Sequence, residues 1–425
     1  MTDYYTDPTN GSNTNRGTSP DTAFADLRPF ESDVTLTAGD TVTLSGGVYD
    51  YDSALDLSGI TGAAEAPVVI EAATGESPVF DFSASSGQGV VLDNSQYTSL
   101  RGVEVRHADV NNVRIFGNES GGSGSQNAVD VVVENCEIHG HGVGGSHGNG
   151  VIVAYGADGV VVRGCELYDG KSGGNSDGFH AAVDARNTLL EDCWIHHNSD
   201  DGIDTFGGHT HDPDNPATFR RVVCYRNGTD LSGSVTGNGV GFKFGDCNRR
   251  AGGHRLEHCV AFENRDRGIG NPCIDEGLTL YNCSAVNNGK QNIYLSEESA
   301  DHEIANCIAQ GGDGWDLKLE GAKSVQACNW DESSRGDFNS ATELSFQSTD
   351  PSSGDFLRHP VGSPAIDAGI DVGLSYEGSA PDWGAYESDG ASGDGDTSPV
   401  VRVYDGSGWR QPTVKYYDGS GFIPL

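Results

Sequence analysis

The sequence predicts an all-β solenoid, and three observations carry that prediction. Short Val- and Ile-rich runs alternate with Gly, Asn and Asp turns, and no stretch sustains a 3.6-residue period. Cysteines recur at the ends of such runs, at positions 136, 165, 193, 224, 259, 283 and 307, with spacings of 29, 28, 31, 35, 24 and 24 residues. A period near 24 with loop insertions fits coils that stack on one another. With 61 glycines and 35% hydrophobic residues in 425, the chain can bury a large core, but not one of long helices.

The chain divides as follows. Residues 1–67 read as an N-terminal cap and first coils, because Gly11-Ser12-Asn13, Gly17-Thr18-Ser19-Pro20 and Ala38-Gly39-Asp40-Thr41-Val42 resemble the usual opening of extracellular parallel β-helix proteins. Residues 68–330 are the repeating body: a β-run ending in Cys, a second short run, Asn, a Gly-rich turn and a further run. Cysteines at one phase of a coil are expected to form a column of small, buried, free thiols. Cys247 and Cys273 fall outside that phase and are the best candidates for one disulfide, while Cys328 has no assigned place. In residues 331–390, Gly362–Gly369 and Ala380–Glu387 resemble the segment that closes many such helices. A Gly/Asp/Ser linker at 391–399 leads to a tail at 400–425, where Tyr404-Asp405-Gly406-Ser407-Gly408-Trp409 recurs as Tyr417-Asp418-Gly419-Ser420-Gly421-Phe422. Two small hairpins are expected there, too little for a core of their own, so the tail reads as an attachment or oligomerisation element, with a homotrimer as one outcome.

Charge narrows the partners. The net charge is -38, with six lysines among 25 basic residues. Such a surface suits concentrated salt, where at about 1 M the screening length is only ~3 Å and self-repulsion is damped. The alternative is an ordinary acidic secreted protein. Either way the charge argues against double-stranded nucleic acid as a partner. No run of about 18 apolar residues occurs, so no membrane span is expected. Met1 to Pro8 show neither the basic nor the apolar region of a signal peptide. The expectation is a protein acting outside a cell or on a virion surface, with its signal removed or with passage on a virus particle.

Strand phase then selects a site. Side chains alternate along a strand, so in Gly241-Phe242-Lys243-Phe244 the phenylalanines point inward and Lys243 outward. The same alignment sets Arg114, Ile152, His180, Asp204, Lys243, Gly270, Tyr294 and Asp316 in one outward column, with coils spaced by about 4.8 Å. Asp177, Asp200 and Asp201 sit at its foot. Crowded carboxylates repel, and a hard cation with six to eight oxygen ligands relieves them; Ca2+ is the natural choice. The plainer reading is that Asn-Ser-Asp-Asp-Gly is a favourable turn in an acidic protein. Arg249, Arg250, His254, Arg265 and Arg267 follow the lysine and could hold carboxylates or stabilise an enolate, or could be surface ion pairs. His209 and His211 read as loop residues.

The order Asn-Ser-Asp-Gly (175–178), Asn-Ser-Asp-Asp-Gly-Ile-Asp (198–204) and Gly-Asn-Gly-Val-Gly-Phe-Lys-Phe-Gly (237–245), followed by His254, Asn264 and Gly268, resembles the family 9 polysaccharide lyases. These are right-handed parallel β-helix enzymes that cut pectate-type polyuronides. The resemblance implies Asp177, Asp200, Asp201 and Asp204 as calcium ligands and Lys243 as the catalytic base. Arg267 and His254 are expected to assist catalysis, and Arg249, Arg250, Arg265, His180 and Tyr294 to bind substrate. The function this implies is a calcium-dependent lyase acting by β-elimination on an acidic, uronic-acid-containing glycan. The tail is similar to those ending some structural proteins of haloarchaeal viruses, so the lyase is expected on a virion as a tail spike or fibre that binds a host surface glycan, with other virion proteins as partners. A non-catalytic glycan-binding or structural β-helix that keeps a stabilising calcium site is the alternative, and a secreted halophilic pectate lyase is the third. Hydrolysis by Asp200 and Asp204 as paired carboxylates is a rival chemistry, but it leaves Lys243 without a task.

Overall fold

The computed structural model describes residues 1–118, 127–145, 147–171, 175–205, 216–245, 253–271, 277–296, 300–321 and 324–388, with short strands between 403 and 424. Among the described residues most coils contribute one short strand to each of three sheets, parallel throughout except where Gly336–Phe338 pairs antiparallel with Leu317–Leu319, and the coils wind into a right-handed β-helix. The first sheet has 12 strands, the second 10 and the third 11, and neighbours within each come from successive coils. One coil shows the plan: Val161–Arg163 in the first sheet, Glu166–Tyr168 in the second and Ser176–Ala181 in the third.

The turns explain the sequence pattern. The chain passes from the first sheet to the second through one residue with positive φ: Asn135, Gly164, Asp192, Arg221, His258, Asn282, Asn306 and Ala327 in successive coils. Asn and Asp tolerate this left-handed conformation better than most side chains, which accounts for their frequency there. The next residue turns inward and is Cys136, Cys165, Cys193, Cys259, Cys283, Cys307 or Cys328, all buried free thiols. Two corrections follow. Val222, not Cys224, holds this place in its coil, and Cys224 lies in register with Ile195 and Ala261 instead. Cys328 is the last member of the column. The 31- and 35-residue spacings around Cys224 each contain this two-residue offset. Cys247 and Cys273, the expected disulfide, lie outside the described residues.

The turn from the second sheet to the third carries a ladder of asparagines. Asn198 Nδ2 donates to Asn227 Oδ1 at 3.0 Å, Asn227 to Asn264 at 3.0 Å, Asn264 to Asn288 at 3.0 Å and Asn288 to Asn292 at 2.8 Å. Each side chain also donates to a backbone carbonyl or accepts a backbone N–H, so the buried amides are satisfied along the axis. The ladder needs room: a Cβ on Gly202 would stand 2.7 Å from Gly241 O and 2.8 Å from Asn227 Nδ2. It fixes the chain immediately before Ser199-Asp200-Asp201.

Inside, Phe179, Ile203, Phe242, Ile269, Ile293 and Leu317 stack in register on the third sheet. Truncating a buried ring such as Phe242 would cost about 3–5 kcal/mol. Tyr4, Phe24, Leu27 and Phe30 join this core at the N-terminal end, and Trp330 and Phe338 join it at the other. A second apolar cluster forms outside the second sheet, where Leu344, Phe356, Leu357, Ala365, Ala385 and Tyr386 cover Tyr225, Val260, Phe262 and Ile308. This explains why Val260-Ala261-Phe262 is apolar on both faces. Residues 344–386 thus run along the flank of the helix. In the tail, Val403–Tyr404 pairs antiparallel with Trp409–Arg410, and Lys415–Tyr417 with Phe422–Pro424.

Candidate active site

The outward column of the third sheet runs Arg114, Ile152, His180, Asp204, Lys243, Gly270, Tyr294 and Lys318, each residue in register with the next. The expected last member, Asp316, is replaced by Lys318. Asp316 is instead buried, bonded to Asn292 Nδ2 and to the backbone N–H groups of Gly312 and Ser340.

Around the middle of this column the acids converge. Asp177, Asp200 and Asp201 present carboxylate oxygens within 4.8 Å of one another, and Asp177, His180 and Asp204 form a second such group. All four aspartates are buried. Lys243 Nζ donates to Asp201 Oδ2 at 2.8 Å and to Asp204 Oδ2 at 2.7 Å. Backbone groups hold the acids in place: Val240 N–H donates to Asp201 Oδ1 at 2.6 Å, Asn238 N–H to Asp200 Oδ1 at 2.5 Å and Asp201 N–H to Asp177 Oδ1 at 3.1 Å. Gly237 backs onto Asp200, whose Oδ1 would lie 2.1 Å from any added Cβ.

The electrostatics are those of a crowded anionic cluster. Burial, then repulsion from Asp177, pushes the Asp200 carboxyl up to about 7. Burial also raises Asp201 and Asp204, although Lys243 pulls each of them down. Burial alone would lower the Lys243 ammonium; Asp201, Asp204 and Asp177 outweigh it and raise the group above its ordinary value. The cluster therefore holds protons that neutral solution would otherwise remove. Hard carboxylate oxygens converging on one point are the donor set of a calcium ion, and the residues present fit one.

The chain matches the family described as "Pel9A-like, right handed beta helix region" over residues 4–306. The chain belongs to that family. Two proteins named pectate lyase L are similar to it: that of Dickeya chrysanthemi is 28% identical, with 90% of each chain covered, and that of Paenibacillus polymyxa (strain SC2) 27% identical, covering 80% of this chain and 78% of the relative. The solved structure of pectate lyase Pel9A aligns with a TM-score of 0.74 at 24% identity, covering 91% of this chain and 96% of that one. A rhamnogalacturonan lyase aligns at 0.65 and 20% identity, covering 82% and 91%. At these identities the likeness to the solved structures is one of fold. This Pel9A-like chain is thus a pectate-lyase-like right-handed β-helix.

The remaining expected site residues of the Pel9A-like chain separate into groups. Arg267 stacks on Tyr294, its guanidinium carbon 3.9 Å from the ring centroid, on the coil that follows Lys243. Arg265 is exposed and donates to Gly237 O at 2.9 Å, tying down the backbone behind Asp200. His180 Nδ1 lies 3.3 Å from Asp177 Oδ2, so it borders the potential metal donors through Asp177 and Asp204. His254 is a correction: it is buried in the core against Phe219 and Phe244, and its Nδ1 accepts the Ala217 N–H at 3.1 Å. His302 repeats this role two coils on, accepting the Leu278 N–H at 3.1 Å. Both histidines serve the turn into the first sheet, not the outward column. Arg249, Arg250, His209 and His211 lie outside the described residues. Lys318 was missed, although its spacing of 24 from Tyr294, equal to that of Tyr294 from Gly270, marks it in the sequence.

Among the described residues no helix is long and apolar enough to cross a membrane.

Proposed function

We propose that this protein is a calcium-dependent polysaccharide lyase that cuts an acidic, uronate-containing glycan by β-elimination. The observation that carries the reading is a lysine on the outward face, held between Asp201 and Asp204 beside a buried three-aspartate group. A purely structural calcium site has no need of that lysine.

Asp177, Asp200, Asp201 and Asp204 would hold the ion, with His180 at the edge of the set. Bound there, calcium would supply Lewis-acid neutralisation of the substrate carboxylate and so acidify the neighbouring C–H. Lys243 takes the proton from the carbon α to that carboxylate; the electron pair passes into the enolate and then forms the ring double bond as the C–O bond to the leaving sugar breaks. The leaving oxygen gains a proton, so the products are an unsaturated uronide and a free hydroxyl. Lys243 must be neutral to act. When the charges of Asp201 and Asp204 are engaged elsewhere, the ammonium loses the partners that hold its proton, and burial then favours the amine. Arg267, one coil away, is placed to face carboxylate charge on the substrate.

The test is ultraviolet absorbance of unsaturated products on polygalacturonate and other polyuronides, in high salt, with wild type, Lys243→Ala and chelator-treated protein. Product from wild type alone supports the lyase. No product from any acidic glycan, with calcium still raising the melting temperature, leaves the glycan-binding or structural reading. Virion display is a reading of the tail repeats and the N-terminal residues, and the β-helix carries none of it.

A further inference from the structure

Beyond Lys243 the outward column changes character. Gly270 stands in register between Lys243 and Tyr294, and the Arg267 side chain and Val240 pack over it, within 3.4 Å of where a Cβ would stand. Beyond it, the Tyr294 ring carries two cations: the Arg267 guanidinium 3.9 Å from its centroid and Lys318 Nζ 5.6 Å from it. Neither cation is locked in a short ion pair. The acidic neighbours, Asp266 of Arg267 and Glu320 of Lys318, stand at 3.6 and 3.5 Å, where a charge-assisted hydrogen bond is about 2.7–2.9 Å. Arg267 Nε is buried with no hydrogen-bond partner among the described residues. Both side chains reach solvent, at 27% and 26% exposure. Trp315 is 49% exposed, three residues before Lys318, the place that Arg267 takes before Gly270 and Asp201 before Asp204.

We propose that Arg267, Tyr294, Lys318 and Trp315 form a binding subsite for a further carboxylate-bearing sugar of the same glycan chain, one to three coils along the axis from Lys243. The subsite rests on the polyuronide reading above and names what that substrate must be: an oligomer long enough to reach it, acidic at both places. The distance from Lys243 is about 10 Å to Tyr294 and about 14 Å to Lys318, from the spacing of parallel strands. A guanidinium stacked on a ring keeps its plane fixed and its N–H edges free for a carboxylate. Lys318 contributes a point charge to the same anion, and an exposed indole offers a flat apolar face to the C–H side of a sugar ring. In a chain of net charge -38, a paired cation of this kind on the substrate face has an anionic occupant to select.

The experiment uses the full chain carrying Lys243→Ala, so that binding is read without turnover. Calorimetric titration with galacturonate dimer, galacturonate hexamer and carboxyl-reduced hexamer supplies the probes. The expected result is hexamer binding that Trp315→Ala and Lys318→Ala each weaken about tenfold, with dimer binding unchanged and the reduced hexamer weak throughout. Hexamer affinity within twofold of the parent for both variants overturns the subsite. So does a parent that binds acidic and reduced hexamers alike, or neither. Both added substitutions lie on the surface, and circular dichroism checks the fold. Because the lyase reading is decided by wild-type product, a protein that binds as expected but forms no product keeps the subsite and loses the enzyme; the reverse pattern does the opposite.

Discussion

Two faces of one helix carry charge in opposite ways. On the first sheet, Arg101, Glu134, Arg163, Glu191, Arg220 and Glu257 stand in register on successive coils with alternating sign. Each acid lies between two arginines: Glu134 is 3.2 Å from Arg101 and 3.1 Å from Arg163, and Glu191 is 3.9 Å from Arg163 and 3.6 Å from Arg220. On the third sheet the same coil spacing brings together aspartates of like sign with one lysine. The titrations follow. Burial would raise Glu257, but bonds from Arg220 and Arg255 lower it, whereas burial and Asp177 push Asp200 up to about 7. An alternating column sets opposite charges side by side along the axis; a repeating one leaves like charges adjacent.

The largest effect should come from the lysine held inside the acidic cluster. Lys243→Ala is expected to lower kcat by about 10²–10⁴-fold if Lys243 is the general base, measured by initial rates of product absorbance at saturating calcium. A rate within tenfold of wild type would remove Lys243 from the chemistry.

Asp200→Asn sharpens the comparison, because its two expected effects have opposite sign. It removes one crowded charge and leaves the Lys243 hydrogen bonds to Asp201 and Asp204 in place, so the chelated protein should melt at or above the chelated wild type at pH 8. The same change would delete a proposed metal donor. On the proposed calcium reading, the ion at a hundredfold over its Kd should stabilise wild type by about 2.7 kcal/mol through binding and add little to the variant. A variant that melts lower than wild type in chelator, yet keeps the calcium increment, would show that Asp200 serves the turn and not an ion.

The same crowding sets a pH dependence. Asp200 has a folded value of about 7 against an ordinary value of 3.8, so between those limits the folded chain holds a proton that the unfolded chain has lost. Stability of the ion-free protein therefore falls as pH rises through that window, and the raised Asp201 and Asp204 act in the same direction. A calcium ion held by these oxygens would compete with protons, so on the proposed reading calcium affinity should fall as pH drops below about 7. Thermal melts of chelated protein from pH 4 to 8, with calcium titrations at each end, check both signs. A chelated protein that gains stability across the window contradicts the account.

Much of this was legible in the chain. Alternation places Lys243 outside and Phe242 and Phe244 inside, and the coil repeat aligns His180, Asp204 and Lys243 as the register shows. What alternation cannot resolve is a shift of two residues, which preserves the face. That is how Asp316 stood for Lys318 and Cys224 for Val222. Only the repeat length separates such pairs, and loop insertions obscure it around Cys224. His254 failed for another reason: a buried imidazole that accepts a backbone N–H has no distinct spacing, and its neighbours Phe219 and Phe244 come from other parts of the coil.

The smallest effect tests the alternating face. Glu134 is 19% exposed, and its removal leaves Arg101 within 4.0 Å of Glu71 and Arg163 within 3.9 Å of Glu191. Because each arginine keeps an acid on its other side, Glu134→Gln should cost about 1 kcal/mol or less, as exposed pairs do. Glu134→Lys differs in kind. It sets three cations in register on consecutive coils and so builds on the first sheet a positive counterpart of the crowding found on the third. Its penalty should exceed that of Glu134→Gln at low ionic strength and shrink toward it at about 1 M salt, where the screening length is ~3 Å. Equal penalties at low salt would mean that side-chain packing, not sign, governs the column, and the contrast between the two faces would then rest on burial alone.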